Sequence, residues 1–248
     1  MEALDILQSP LLLLLLPIVA FLYASVGHGG ASGYLALMSL FAFPVAFIKP
    51  TALVLNIVVS GISFYFYYRE KEFEWKLFYP FAITSVPCSF LGGLLSIETH
   101  LYKIILATVL IFAVLRLLGL LGKEKAHIRP IHFASALQIG ALIGFLSGLI
   151  GIGGGIILSP VLLLLGWATM KQTAAVSALF ILVNSVAGLF GFLSKGEILP
   201  ISSLLVITVV AIGGILGGYY GSKKFNSVAL RNILALVLAI AIFKLYTT

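Results

Sequence analysis

Two short stretches concentrate glycine, serine and histidine inside otherwise apolar runs. The first holds Gly27, His28, Gly29, Gly30 and Ser32. The second holds Gly151, Gly153, Gly154, Gly155 and Ser159. Glycine costs a helix interior about 1 kcal/mol relative to alanine, so we expect a helix to break at each stretch and a new one to begin. The first N–H groups of the new helices, together with hydroxyl and imidazole donors, would bind an anion. A purely structural crossing of two close-packed hairpins is the alternative.

Four further polar residues follow in the segments "TALVLNIVVSG" and "SALFILVNSVAG". They are Thr51, Asn56, Ser177 and Asn184. An asparagine in hydrocarbon needs a partner, so each either bonds between helices or lines a substrate site. The two hydroxyls donate either to an anion or to a carbonyl of their own helix. His28 has no counterpart in the second stretch, and it is either a titrating donor or local packing.

The elements that position these residues are membrane helices. The 248 residues are 61% hydrophobic and 9% charged, against roughly 25% charged in soluble domains. Continuous apolar runs of about 20 residues cross a bilayer as helices, whereas a barrel would alternate in shorter strands. The first segment lacks the basic start of a signal peptide and is treated as a membrane helix. We therefore predict an all-α polytopic integral membrane protein.

Charge and cysteine content exclude several other classes. The net charge is +7, but the Lys and Arg residues are spread over short loops, so no nucleic-acid partner is expected. The single Cys88 rules out an intrachain disulfide and a multi-cysteine metal site. We expect no cofactor and no metal. A phosphate-binding loop that would drive ATP-powered pumping is also missing from the sequence.

The chain reads as two related halves of five apolar segments each. Gly27, Gly29 and Gly30 recur 124 positions later as Gly151, Gly153 and Gly154. We expect a first transmembrane repeat over 1–121, a cytoplasmic linker over 122–131 and a second repeat over 132–248. The expected segments are 8–26, 31–48, 50–68, 77–96, 101–121, 132–150, 155–168, 172–193, 199–220 and 228–246.

Loop charges favour opposite orientations of the two halves. A hairpin plus three crossings in each half places eleven of the fifteen Lys and Arg residues in the cytoplasm, against nine for parallel halves. Outside are Lys49, Lys103, Lys195 and Lys244. The prediction is two inverted-topology repeats whose glycine-broken hairpins meet near the midplane, an arrangement typical of secondary transporters. Elsewhere, as in 92–95 and 213–221, glycines are expected to serve helix packing.

The motifs "GHGGASGYLAL", "GIGGGIILSPVLLLLG", "KPTALVLNIVVSGISFYFYYR", "PFAITSVPCSFLGG" and "ALFILVNSVAGL" resemble the sulfite exporter TauE/SafE family of membrane permeases over nearly the full length. The resemblance implies a transporter of small anions such as sulfite, sulfoacetate or other organosulfonates. It places the family's glycine motifs on the two stretches above and its Ser/Thr-to-Asn helices on Thr51–Asn56 and Ser177–Asn184. Ala31 stands where the full glycine pattern has a last glycine.

The expected function is therefore a secondary transporter that moves a small oxyanion across the plasma membrane, as a multi-pass protein. Its expected partners are the anion and membrane lipid, with a homodimer left open. An intramembrane enzyme is one alternative, but it needs a nucleophile and base or a carboxylate cluster at membrane depth. A non-transporting assembly subunit is the other alternative, and it leaves two polar breaks at matching positions unexplained.

Overall fold

A computed structural model describes residues 10–120, 129–196 and 204–223 and the helical positions 238, 239, 242 and 243. Within these ranges the chain forms helices and no strands. The helices are α1 Pro10–Ala24, α2 Ala31–Leu40, α3 Val45–Arg69, α4 Trp75–Leu94, α5 Thr99–Leu117, α6 Phe133–Ile150, α7 Gly155–Leu165, α8 Met170–Leu193 and α9 Leu204–Lys223. Most of the predicted linker 122–131 and of the last predicted segment, 228–246, lies outside the described residues.

Five of these helices are long and apolar enough to cross a membrane. They are α3, α4, α6, α8 and the part of α9 from Val206 to Lys223. An 18-residue helix rises about 27 Å, close to the hydrocarbon thickness of about 30 Å. The predicted class, an all-α polytopic membrane protein, is confirmed. The division of the chain into two transmembrane repeats remains a prediction.

The boundary between the second and third segments differs from the prediction. α2 ends at Leu40 rather than at position 48, and α3 begins at Val45 rather than at Pro50. Pro44 occupies the N-cap of α3 in an extended conformation, and Pro50 lies inside the helix. A proline within a membrane helix is tolerated where neighbouring groups satisfy the freed carbonyl. As a result Lys49, predicted to lie in an outside loop, is part of α3.

Two helix pairs pack closely through glycines and run parallel. In the first pair, Gly140, Gly144 and Gly148 of α6 lie on the backbone of Phe81, Ser85 and Ser89 of α4. In the second pair, Gly213 and Gly217 of α9 lie on Pro17 and Phe21 of α1, and Gly221 lies on Ser25, directly after α1. Small residues let helix backbones approach closely. The packing role predicted for the glycines of 213–221 is confirmed.

The long helices α3 and α8 run antiparallel across the centre of the molecule. Asn56 of α3 bonds Ser185 of α8, whereas Tyr67, further along α3, packs on Ala174, earlier in α8. The molecule therefore has two ends. We call the end formed by 70–74 and 166–169 the Lys71 end, and the end formed by 41–44, 95–98 and 194–196 the Lys49 end.

Two helical hairpins enter the molecule from these opposite ends. α1 and α2 start and finish at the Lys49 end, because α2 leads into the first residues of α3. α6 and α7 start and finish at the Lys71 end, where the N–H of Arg129 donates to the carbonyl of Gly166. Each hairpin turns at one of the glycine stretches, so the breaks lie inside the helical bundle.

Candidate anion site at two helix breaks

Both glycine stretches break the helix, as the sequence predicts. Gly30 directly precedes α2 with φ of +96°, and Gly154 directly precedes α7 with φ of +79°. These left-handed values are accessible to glycine without a steric penalty. α2 and α7 thus begin within the protein interior.

Asn56 joins the two breaks through its carboxamide. Its Oδ1 accepts from the N–H of Ala31, the first residue of α2, at 3.2 Å. Its Nδ2 donates to the carbonyl of Ile152 in the second break at 3.4 Å and to Ser185 Oγ at 2.9 Å. The side chain is fully buried. One residue of α3 therefore binds both hairpins and α8 at once.

The breaks approach this cluster too closely to carry side chains. A Cβ placed on Gly29 would overlap the carboxamide of Asn56 and lie 2.9 Å from Ile181 Cγ2. A Cβ on Gly153 would overlap the same carboxamide and lie 2.8 Å from the same methyl group. Gly29 and Gly153 therefore face each other across two shared side chains.

A chain of polar side chains links the first break to the second hairpin. His28 Nε2 lies 2.9 Å from Ser159 Oγ of α7, and Ser159 Oγ lies 2.9 Å from Ser177 Oγ of α8. His28 Nδ1 lies 2.9 Å from the carbonyl of Val26. Because a carbonyl only accepts, Nδ1 carries a proton, and Nε2 of the neutral ring accepts from Ser159. In the charged ring Nε2 donates instead, and the Ser159 hydroxyl is then directed to the carbonyl of Gly155, 2.9 Å away.

Carbonyl groups at the breaks find side-chain donors. Tyr67 donates to the carbonyl of Ser25 at 2.9 Å, and Tyr102 donates to that of Ile150 at 3.0 Å. Several N–H groups in the first turns of α2 and α7, in contrast, have no hydrogen-bond partner in the described part of the chain. Those of Ser32 and Gly33 in α2, and of Gly155 and Ile156 in α7, have no acceptor among the described residues.

Other predicted site residues lie apart from this cluster. Ser32 Oγ bonds the hydroxyl of Tyr23 at 2.6 Å. Asn184 Nδ2 donates to the carbonyl of Phe180 in its own helix at 2.8 Å, and the backbone carbonyl of Asn184 accepts from Ser89 of α4. The buried hydroxyl of Thr51 has no hydrogen-bond partner among the residues that the structure describes.

Sequence reasoning missed two residues of the site, Ser185 and Ile181 of α8, which contact Asn56 or the two breaks. It also missed Thr173, which buries a hydroxyl without a hydrogen-bond partner within the described part of the chain, as Thr51 does. Thr173 was detectable, because "KPTAL" at 49–53 and "KQTAA" at 171–175 align it with Thr51. Ser185 has no such signal, since its partner is 129 positions away in sequence.

Comparison with known proteins places the chain among membrane transporters. The family model described as sulfite exporter TauE/SafE matches residues 12–245. The probable membrane transporter protein y4hK of Sinorhizobium fredii is 38% identical over 234 residues, covering 92% of this chain and 94% of that protein. The probable membrane transporter protein YdhB of Bacillus subtilis is 26% identical over 242 residues, covering 93% and 97%. No solved structure matches the chain. The chain therefore belongs to the sulfite exporter TauE/SafE family of membrane transporters.

Proposed function

We propose that this protein is a secondary transporter of the plasma membrane that moves a small sulfur-containing oxyanion, such as sulfite or an organosulfonate, past the two helix breaks. The sulfur chemistry of the substrate rests on the family description. The binding mode rests on the geometry of the breaks.

The proposal rests on a difference between the backbone groups at the breaks: carbonyl groups there have hydrogen-bond donors, whereas several N–H groups have no acceptor in the part of the chain that the structure describes. Buried carbonyls of the breaks receive hydrogen bonds from tyrosine and asparagine side chains. The N–H groups of Ser32 and Gly33 in α2 and of Gly155 and Ile156 in α7 have no acceptor among the described residues. Unsatisfied backbone groups cost several kcal/mol in hydrocarbon. An anion at the positive ends of two helix dipoles would satisfy these donors.

Ser159, Ser177 and the charged form of His28 would supply the side-chain donors of the proposed site, once an anion replaces the acceptors that they have in this structure. All three lie where the first break meets α7 and α8. The described acidic residues, Glu70, Glu72, Glu74 and Glu98, lie in the connections between helices. The region around the breaks is therefore free of described carboxylates that would repel an oxyanion.

The course of the helices supports alternating access around this site. α3 and α8 run antiparallel, and the two hairpins enter from opposite ends. Motion of one hairpin would open the breaks toward one end, and motion of the other would open them toward the opposite end. The gradient of the anion, the membrane potential or a coupled ion would supply the energy.

A test of this proposal measures radiolabelled sulfite and sulfoacetate uptake into proteoliposomes. Ser159→Ala removes one donor of the proposed site, and we expect uptake to fall about tenfold, since a hydrogen bond to a charged group contributes about 1.5–3 kcal/mol. Ser222→Ala is the matched control, because Ser222 is buried but donates to the carbonyl of Tyr219. Equal uptake by wild type and Ser159→Ala would contradict the proposed site.

An intramembrane hydrolase is a second candidate, favoured by the 2.9 Å approach of His28 Nε2 to Ser159 Oγ. A serine paired with a histidine base is a nucleophile arrangement. The orienting partner of His28 here is the carbonyl of Val26 rather than a carboxylate. A fluorophosphonate probe separates the two candidates, because it would label Ser159 in a hydrolase and leave it unmodified in a transporter.

A further inference from the structure

A cavity of about 200 Å³ lies at the Lys49 end of the molecule. Asn56, which joins the two helix breaks, is not among its lining residues. Its polar lining consists of Lys49, Ser96, Thr99, Tyr102 and Lys195. One water molecule needs only about 10–15 Å³ of such space, so the cavity has room for a small polyatomic ion. No acidic residue lines it within the described part of the chain. We call it the Lys49 cavity.

Lys49 is unusually placed for a lysine of a membrane helix. Only 6% of its surface is exposed. Its ammonium group donates one long bond, 3.5 Å, to the carbonyl of Leu95 and lies 5.9 Å from the centre of the Phe192 ring. No carboxylate lies within 4.0 Å of it among the residues that the structure describes. A buried charge without a counter-charge is costly, and two of the three ammonium donors remain for a ligand.

A second lysine converges on the same space. Lys195 places its ammonium group 5.1 Å from the centre of the same Phe192 ring and donates to Ser96 Oγ at 2.6 Å. Two ammonium groups around one ring repel each other when nothing lies between them. Walls of low polarity strengthen the field of such a pair and raise the local concentration of anions.

The Lys49 cavity borders the second helix break. Leu149, near the end of α6, lines the cavity. A Cβ on Gly151 would lie 3.2 Å from both Cγ and the carbonyl oxygen of Lys49. Tyr102, another lining residue, donates to the carbonyl of Ile150. An ion held by the two lysines would therefore lie next to the turn that leads to α7.

We propose that the Lys49 cavity is a second anion site, in which the ammonium groups of Lys49 and Lys195 hold a small oxyanion between the solution at the Lys49 end and the second helix break. The role as an entrance to the transport path rests on the proposed function, whereas the binding itself does not. The ligand chemistry is a compact group of three or four negatively polarised oxygens. A free oxyanion and the phosphate of an anionic lipid both have it.

Binding is tested by thermal stability in a neutral detergent, with sodium sulfate as the probe and sodium chloride of equal ionic strength as the reference. Sulfate should stabilise the wild type by mass action. Lys49→Met and Lys195→Met should each weaken the apparent sulfate affinity about tenfold or more, because a charge-assisted bond is lost. Lys103→Met is the matched control, since Lys103 is a half-buried lysine near the start of α5 that does not line the cavity.

Three results would overturn the sulfate site. Equal affinities in wild type and Lys49→Met would mean that this lysine only caps the end of α4. Stabilisation of wild type by phosphatidylglycerol but not by sulfate would assign the cavity to a lipid headgroup. Glu197 lies two positions after Lys195 in the sequence. A sulfate response that arises only in Glu197→Gln would mean that this carboxylate already neutralises the lysines.

Transport kinetics separate this site from the one at the breaks. In proteoliposomes, Lys49→Met should raise KM for sulfite about tenfold and leave kcat within about twofold, because an entrance site raises local concentration without touching the central path. An unchanged KM in an active Lys49→Met variant refutes the entrance role alone. Absence of sulfite uptake by the wild type refutes the proposed function and leaves the sulfate-binding result standing.

Discussion

At the scale of single residues, Asn56 is the side chain that joins the two helix breaks to each other and to α8. Its carboxamide bonds the first N–H of α2, the carbonyl of Ile152 and the hydroxyl of Ser185. In a membrane interior these groups have no water to replace a lost partner. The two hairpins therefore share one side chain as their common hydrogen-bonding partner.

We expect Asn56→Ala to destabilise the protein by about 1–3 kcal/mol, the cost of leaving buried partners unsatisfied, and to abolish anion uptake. Asn184→Ala is the matched control. Its amide donates only to a carbonyl of its own helix, and its Oδ1 has no partner among the described residues. Thermal unfolding in detergent and sulfite uptake measure both effects. Equal losses in the two variants would contradict the central role of Asn56.

The candidate site was predictable only in part, for a reason visible in Asn184 and Ser185. The sequence favoured Asn184, but its neighbour Ser185 contacts Asn56. Adjacent residues on a helix differ by about 100° in direction. Membrane helices are apolar on all sides, so their sequences do not indicate which face points inward. The glycine stretches were easier, because a broken helix follows from local backbone preference alone.

At the scale of elements, glycines determine which helices lie side by side. The spacing of Gly140, Gly144 and Gly148 forms a smooth face along α6, and the backbone of α4 lies directly on it. Lipid offers no hydrophobic drive for helix association, so close packing of this kind is a main source of affinity between membrane helices. The same repeat of four residues on α9 serves α1.

We expect Gly144→Ala to lower the thermal unfolding temperature in detergent, because its new methyl group would overlap the backbone of Ser85. Overpacking of this kind typically costs about 1–3 kcal/mol. Gly61→Ala is the control, since the nearest atom to its new methyl group is Leu182 Cδ1 at 3.9 Å. That variant should be unchanged or gain up to about 1 kcal/mol from helix propensity. A Gly144→Ala protein as stable as Gly61→Ala would refute the packing role.

Most element boundaries followed from the sequence to within a few residues, because long apolar runs and glycine breakers are strong local signals. The start of α3 is the exception. The sequence contains both Pro44 and Pro50, and hydropathy favoured the second as the boundary. In the structure Pro44 is the N-cap of α3, and Pro50 lies in the second turn of that helix. A membrane helix continues through a proline at the cost of one backbone hydrogen bond, so proline alone does not locate the helix end.

At the scale of the whole molecule, basic residues are divided unequally between the two ends. The described side chains at the Lys71 end include those of Arg69, Lys71, Lys76, Arg129, Lys171 and Lys223. At the Lys49 end they include those of Lys49, Lys103 and Lys195. The positive-inside rule then predicts that the Lys71 end faces the cytoplasm.

This orientation is testable with single cysteines in a Cys88→Ala background. Lys71→Cys and Lys171→Cys should both be protected from a membrane-impermeant maleimide in intact cells, because the Lys71 end is expected to face the cytoplasm. The ion pair between Lys171 and Glu72 places both positions at that end. Glu98→Cys, in the exposed connection between α4 and α5, should be labelled. Labelling in inside-out vesicles should show the reverse pattern. Opposite labelling of positions 71 and 171 would contradict the placement of both at one end.

The pairing of α1 with α9 also constrains how the chain is made. At about 5–20 residues per second, the ribosome completes α9 roughly 10–40 s after α1. During that interval α1 must remain in the bilayer without the glycine face that later covers Pro17, Phe21 and Ser25. Six consecutive leucines, Leu11–Leu16, make this possible, because lipid tails solvate leucine as well as a protein interior does. We therefore expect the leucine run to help retain the first helix in lipid during biosynthesis, until α9 has been made.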